Sequence, residues 1–171
     1  LGLADILEVG LRSHYIASWH AARIMAPARS GLVAMTSSYG AHCYMHGAAY
    51  GAQKAGIDKM AADIGVDFRD TGMTAVSLWM GPLKTERSAR SAQEHPETYG
   101  SIMQHGETPE FNGRVLLAIH DDPARDRLNG QTLITAELAV DYGIVDEGGY
   151  QPRSYRGKLG EPRLAHPAIV A

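Results

Sequence analysis

The chain has 171 residues, 44% of them apolar and 20% charged, which suits one globular domain with a real core. Its formal charge of -3 gives no basis for binding nucleic acid or an anionic membrane surface. Cys43 is the single cysteine, so an internal disulfide is excluded and a reduced, cytoplasmic compartment is expected. No apolar run approaches the roughly 20 residues that a membrane-spanning helix needs.

The sequence begins at Leu1 inside a helical pattern, without an initiator methionine or a signal-like start, and so reads as part of a longer chain. Residues 3–25 are predicted to be a helix, with Leu7, Leu11, Tyr15, Ala22 and Met25 at three- and four-residue steps, closed by Pro27 and Gly31. GLVAMTS at 31–37 is a continuous apolar run ending in hydroxyls, the pattern of a strand buried on both faces of a parallel sheet. A loop rich in glycine and histidine follows, then a long helix over 48–70 that Gly72 halts. Ile57, Ala61, Ile64 and Phe68 form its core face, while Ala48, Ala49, Ala52, Ala55 and Gly56 suit close packing within the chain or against a second subunit. MTAVSLW at 73–79 is a second buried strand, punctuated by Gly81 and Pro82, with Trp79 in the core. Residues 85–108 turn polar and read as a mobile insertion or lid. An amphipathic helix over 109–120 and a third strand over 131–137 complete the pattern. From residue 141 onward Gly, Pro, Arg and Tyr dominate, so 144–171 is expected to be an extended or partly disordered tail.

Helices and strands that alternate through long crossovers imply a parallel sheet with helices on both faces. Chemistry in such a sheet gathers beyond the carboxyl ends of its strands. Ser37 and Ser38 end the first strand and residues 81–85 follow the second, so both face one crevice. Tyr50 and Lys54 sit one helical turn apart on one face of the long helix. Alone, such a pair occurs often by chance as an ordinary surface pair; a strand-end serine thirteen residues before the tyrosine sharpens it. Reduction of a carbonyl needs a proton for the oxygen as hydride reaches the carbon. A phenol, near pKa 10, is a weak base at neutral pH, and an adjacent ammonium favours its ionised form. Lys54 is placed to supply that charge, and Ser37 to hydrogen-bond the substrate oxygen. Ser38 is the alternative for that last role. His42, Cys43 and His46 invite a zinc reading, but no second ligand set with zinc-site spacing accompanies them, so no metal is expected.

The stretch GLVAMTSSYGAHCYMHGAAYGAQK at 31–54 resembles the active-site region of the short-chain dehydrogenase/reductase (SDR) family. MGPLKT at 80–85 is similar to that family's cofactor loop, with Met80 replacing a proline. VGLRSHY at 9–15, KMAAD at 59–63 and VSLW at 76–79 resemble the family's member 1 branch. The resemblance implies a Rossmann-type three-layer α/β/α fold, incomplete at its amino terminus, with 1–143 as the carboxyl-terminal part of the domain. It further implies NAD or NADP as cofactor, a small-molecule carbonyl or alcohol substrate, and a homo-oligomer. Ser37, Tyr50 and Lys54 would be catalytic, and Tyr50, Lys54, Gly81, Leu83 and Thr85 would contact the cofactor. Two departures stand out. Gly10 occupies the place of an asparagine that helps hold a proton-relay water, although the Gly10 carbonyl could still accept from such a water and glycine permits a local distortion. The glycine-rich phosphate cradle is absent too, so residues 1–171 alone are expected to bind NAD(P) poorly and to be inactive. A scaffold or regulatory subunit without catalysis is the alternative function, and an epimerase or dehydratase using the same pair is a third.

Overall fold

The structure is a computed structural model and describes residues 4–170; Leu1–Leu3 and Ala171, which fall in the predicted first helix and tail, lie outside them. The first helix runs through α1 (Ala4–Leu7), a π-helical turn over Glu8–Arg12 and α2 (Ser13–Ala28). Pro27 sits in the last turn of α2 and does not end it; the stop is Arg29, whose backbone turns left-handed at φ 50°. The packed face of this helix carries Leu11, Ser18, Ala22 and Met25, whereas Leu7 and Tyr15, expected on it, are exposed. A π turn takes more residues than an α turn, so it shifts the phase of the apolar stripe that a regular count would draw.

β1 (Gly31–Ser37), β2 (Met73–Trp79) and β3 (Thr132–Ile134) form a parallel sheet in that order. Ser37 pairs with Trp79 and Trp79 with Ile134, so all three strands end level. α3 (Ala48–Asp67) follows β1 after a short 3-10 turn at Tyr39–Ala41, and α6 (Pro109–Asp121) lies between β2 and β3 in sequence. Strand alternation divides the core. Val33, Met35, Met73 and Ala75 pack with Ala22, Ile57, Ala61 and Ile64 on one face. Val76 and Leu78 pack with Phe111, Val115 and Ile119 on the other. Trp79 is a core residue, with Tyr39 and Ile134 around it. This is the three-layer Rossmann-type arrangement the sequence predicts.

Two segments differ from expectation. Residues 85–108, read as a mobile insertion or lid, have helical structure that the sequence reading did not assign, α4 (Glu86–Glu94) and α5 (Pro96–His105). Neither has a buried residue, so their sequences carry no strong apolar stripe to announce a helix. The Thr85 hydroxyl caps α4 by accepting from Ser88 N–H, and Ser88 reciprocates at Thr85 N–H. The third strand is only three residues long; Thr135 begins α7 (Thr135–Asp141), which buries Leu138 and Ala139. Beyond it, a 3-10 turn (Glu147–Gly149) and α8 (Arg156–Leu159) lead into an extended stretch. Tyr155 N–H donates to Tyr39 Oη at 2.9 Å, and the Arg156 guanidinium grips both oxygens of Glu137 at 2.9 and 2.7 Å.

Candidate active site

The level strand ends bring β1, the 3-10 turn, the first turns of α3 and the 80–85 loop into one crevice. Side chains alternate along β1, so Ser37 turns toward α3, where it is 2% exposed and donates to the Lys54 carbonyl at 3.2 Å. Ser38 comes after the strand, still extended, and caps the 3-10 turn by accepting from Gly40 N–H at 3.2 Å. Its hydroxyl lies 3.0 Å from Tyr50 Oη. Of the two serines that the sequence offers, Ser38, the alternative, and not Ser37 is the one whose hydroxyl meets Tyr50. A count of residues to the tyrosine cannot reveal which of two adjacent hydroxyls the pleat turns inward.

Tyr50 is further shaped by its neighbours. Gly40 passes so close that a Cβ there would stand 2.5 Å from Tyr50 Cε1. His46 packs edge-on against the phenol ring, centroids 5.1 Å apart. Lys54 Nζ lies 5.6 Å from the ring centroid and donates to the Thr36 carbonyl at 3.1 Å. Burial holds the Lys54 ammonium below its ordinary range, opposed by the negative charge of Asp58 one turn farther along α3.

The sequence reading missed several groups around this center. Asp58 accepts from Ser77 Oγ at 2.6 Å and from Trp79 Nε1 at 2.9 Å. Burial raises its pKa, against the hydrogen bonds from Ser77, Ser37 and Trp79 and the Lys54 charge. The spacing of four residues after the lysine places this acid on the same helix face but does not reveal its burial. Gln53, 4% exposed, donates from Nε2 to the Gly10 carbonyl at 2.8 Å, so the π turn and α3 are joined at the point where the asparagine is missing. His14, one turn beyond Gly10, has its pKa lowered by burial and then by the nearby Lys54 charge.

The 80–85 loop leaves β2 beside the crevice. Gly81 and Leu83 are half-buried there, and the Thr85 hydroxyl is engaged as the α4 cap. His42, Cys43 and His46 form no metal cluster: among the described residues no group of three or more His, Cys, Asp or Glu is arranged to hold an ion. No helix among them is long and apolar enough to cross a membrane.

Residues 2–134 match a protein-family model described as enoyl-(acyl carrier protein) reductase. The chain is 37% identical over 158 residues to the human dehydrogenase/reductase SDR family member 1, covering 88% of this chain and 50% of that protein. The mouse counterpart is 35% identical over the same length and coverage. The chain thus spans about half the length of the curated relatives it matches. Among solved structures, an oxidoreductase of the short-chain dehydrogenase/reductase family from Burkholderia thailandensis superposes with a TM-score of 0.69 at 19% identity, over 78% of this chain and 54% of that one. The NADP-bound structure of ElxO gives 0.66 at 18% identity, over 78% and 56%.

Proposed function

The chain belongs to the short-chain dehydrogenase/reductase family, and from that premise we propose that the intact protein is an NAD(P)-dependent oxidoreductase interconverting carbonyl and alcohol groups. The observation that carries this reading is the Ser38–Tyr50 hydroxyl pair at 3.0 Å, with the Lys54 ammonium over the same ring.

In the reducing direction Tyr50 gives its proton to the substrate oxygen, and in the oxidising direction it takes that proton back. Ser38 hydrogen-bonds the same oxygen and stabilises the charge that develops there. Lys54 stabilises negative charge on the phenol oxygen as the proton leaves, and Asp58 supports the ammonium against its burial. Ser37 has a different task, fixing the backbone of α3 at Lys54.

The residues fit a nicotinamide cofactor. An ammonium has three protons, and the Thr36 carbonyl takes one of those on Lys54, leaving donors for ribose hydroxyls. Lys54 and Tyr50 would hold the ribose, and Gly81, the Leu83 backbone and Thr85 the nicotinamide end, Thr85 through backbone as well as its capping hydroxyl. When bound, the nicotinamide supplies or accepts hydride at the substrate carbon. Self-association is supported by the exposed Tyr15, Trp19 and Ile24 along α2, and a reducing, cytoplasmic setting by the single cysteine.

Tyr50→Phe in the full-length protein should lower turnover by roughly 10²-fold or more while cofactor binding is retained. Near-normal turnover in that variant contradicts the assignment and leaves the non-catalytic scaffold as the better reading.

A further inference from the structure

Glu107 is 2% exposed and Asn112 is 8% exposed, one turn into α6. Asn112 Nδ2 donates to Glu107 Oε2 at 3.1 Å and to the Thr108 carbonyl at 3.2 Å. The remaining oxygen of each residue, Glu107 Oε1 and Asn112 Oδ1, is buried without a hydrogen-bond partner. Both are acceptors. Buried polar atoms are rarely left unpaired, and a proton on the carboxyl is the donor that this pair of acceptors lacks. Reversing the Asn112 amide does not help, because an acceptor would then face Oε2 and the bond to Thr108 would be lost.

We propose that Glu107 is a neutral carboxylic acid in the native fold, joined to Asn112 as an acid–amide pair that sets the shape of the loop at 81–85. The acid O–H donates to Asn112 Oδ1 while Asn112 Nδ2 donates to the other carboxyl oxygen, giving two parallel hydrogen bonds. The loop hangs on the same residue. Lys84 N–H donates to the Glu107 carbonyl and Glu107 N–H to the Pro82 carbonyl, each at 2.8 Å. The carboxyl lies against Gly81, where a Cβ would stand 2.7 Å from Oε1. The shape of the turn that leaves β2 therefore depends on where this carboxyl sits.

The charges around it agree. Burial raises the Glu107 pKa, the hydrogen bond from Asn112 and the nearby Gly81 N–H, which does not reach hydrogen-bond geometry at the carboxyl, oppose this, and the charge of Asp146 adds to the rise. Tyr39 and Tyr155 face it from the 3-10 turn and the tail, and burial is the main cause that raises the pKa of each. The nearby cations attend to Asp146 instead: Arg114 stands 3.6 Å from that carboxylate, whose pKa is held down against burial by hydrogen bonds from Thr108 and Glu147 and then by the Lys84 charge. Asp146 is also occupied by the N–H and hydroxyl of Thr108. A carboxyl with a raised folded-state pKa binds its proton more tightly folded than unfolded. Its contribution to stability is complete below the unfolded pKa and is lost as pH rises through the folded value.

The loop's role rests on the dehydrogenase reading above; the protonation state does not. The test compares the intact wild-type protein with Glu107→Gln, whose amide can make both hydrogen bonds of the pair, and with Glu107→Ala. Melting is followed from about pH 5 to about pH 9, together with the infrared carbonyl band of protonated carboxyl groups and NADH and NADPH affinity. The wild-type midpoint should fall relative to that of Glu107→Gln as pH rises, Glu107→Ala should melt roughly 5 °C lower at acid pH, and the substitution to Gln should remove a carboxylic acid band. Parallel melting curves with an unchanged band overturn the neutral acid. Cofactor affinity should weaken several-fold with pH in the wild type more than in Glu107→Gln; an equal dependence in both overturns the loop's role. Absence of cofactor binding in both proteins at every pH overturns the dehydrogenase reading and the loop's role with it, while the band still decides the proton.

Discussion

Ser37 and Ser38 are adjacent, chemically identical and separated in role by the pleat of one strand. Ser37 is drawn inward onto the Lys54 carbonyl, and Ser38 emerges at the strand end beside Tyr50. Gly40 permits this contact, since a methyl group there would collide with the Tyr50 ring and crowd Ser38 Oγ at 3.2 Å. Gly40→Ala should therefore displace the phenol and cut turnover about 10- to 100-fold, with cofactor affinity much less affected, as steady-state kinetics with binding titrations would show. An unchanged turnover would mean that the phenol does not need this close approach. Tyr50 and Lys54 were legible because a helix puts residues four apart on one face. The serine was legible only as a choice of two. Asp58 and Glu107 were not, because their significance lies in burial by segments distant in sequence, and a lone acid in a helix or loop ordinarily faces water.

The first helix shows the same limits at the scale of an element. Its apolar repeat announces a helix, but the π turn at Glu8–Arg12 shifts the phase, so the repeat misplaces Leu7 and Tyr15. Gly10 matches Gln53 sterically: a Cβ on Gly10 would stand 2.7 Å from Gln53 Cδ, where the amide now caps the Gly10 carbonyl. Gly10→Asn should displace that amide, and Gln53→Ser should remove it. Each single change should lower the melting midpoint by roughly 2–4 °C. The double variant should recover part of the loss, with a coupling of about 1 kcal/mol in a double-mutant cycle. Additive losses would show that the two positions are independent. At 85–108 composition concealed the helices for a related reason: helices with no buried residues leave no apolar stripe. Thr85 and Ser88, three apart, were the overlooked mark of a helix start.

At the scale of the molecule, topology was the most legible feature, because buried strands and crossover helices alternate along the chain and leave few arrangements open. Register was not legible, yet it places the candidate residues: Ser37, Trp79 and Ile134 end level, so the serines, the α3 tyrosine and the 80–85 loop share one rim. The half of the relatives' length that this chain does not span makes the full-length protein the proper subject for kinetics. Pre-steady-state hydride transfer in full-length Ser38→Ala and Ser37→Ala, at saturating cofactor, tests the arrangement most directly. The Ser38 variant should lose transfer rate by about 10²-fold with its fold intact, and the Ser37 variant should retain most of the rate while melting lower. A Ser37 variant that loses transfer while the Ser38 variant keeps it would contradict the account.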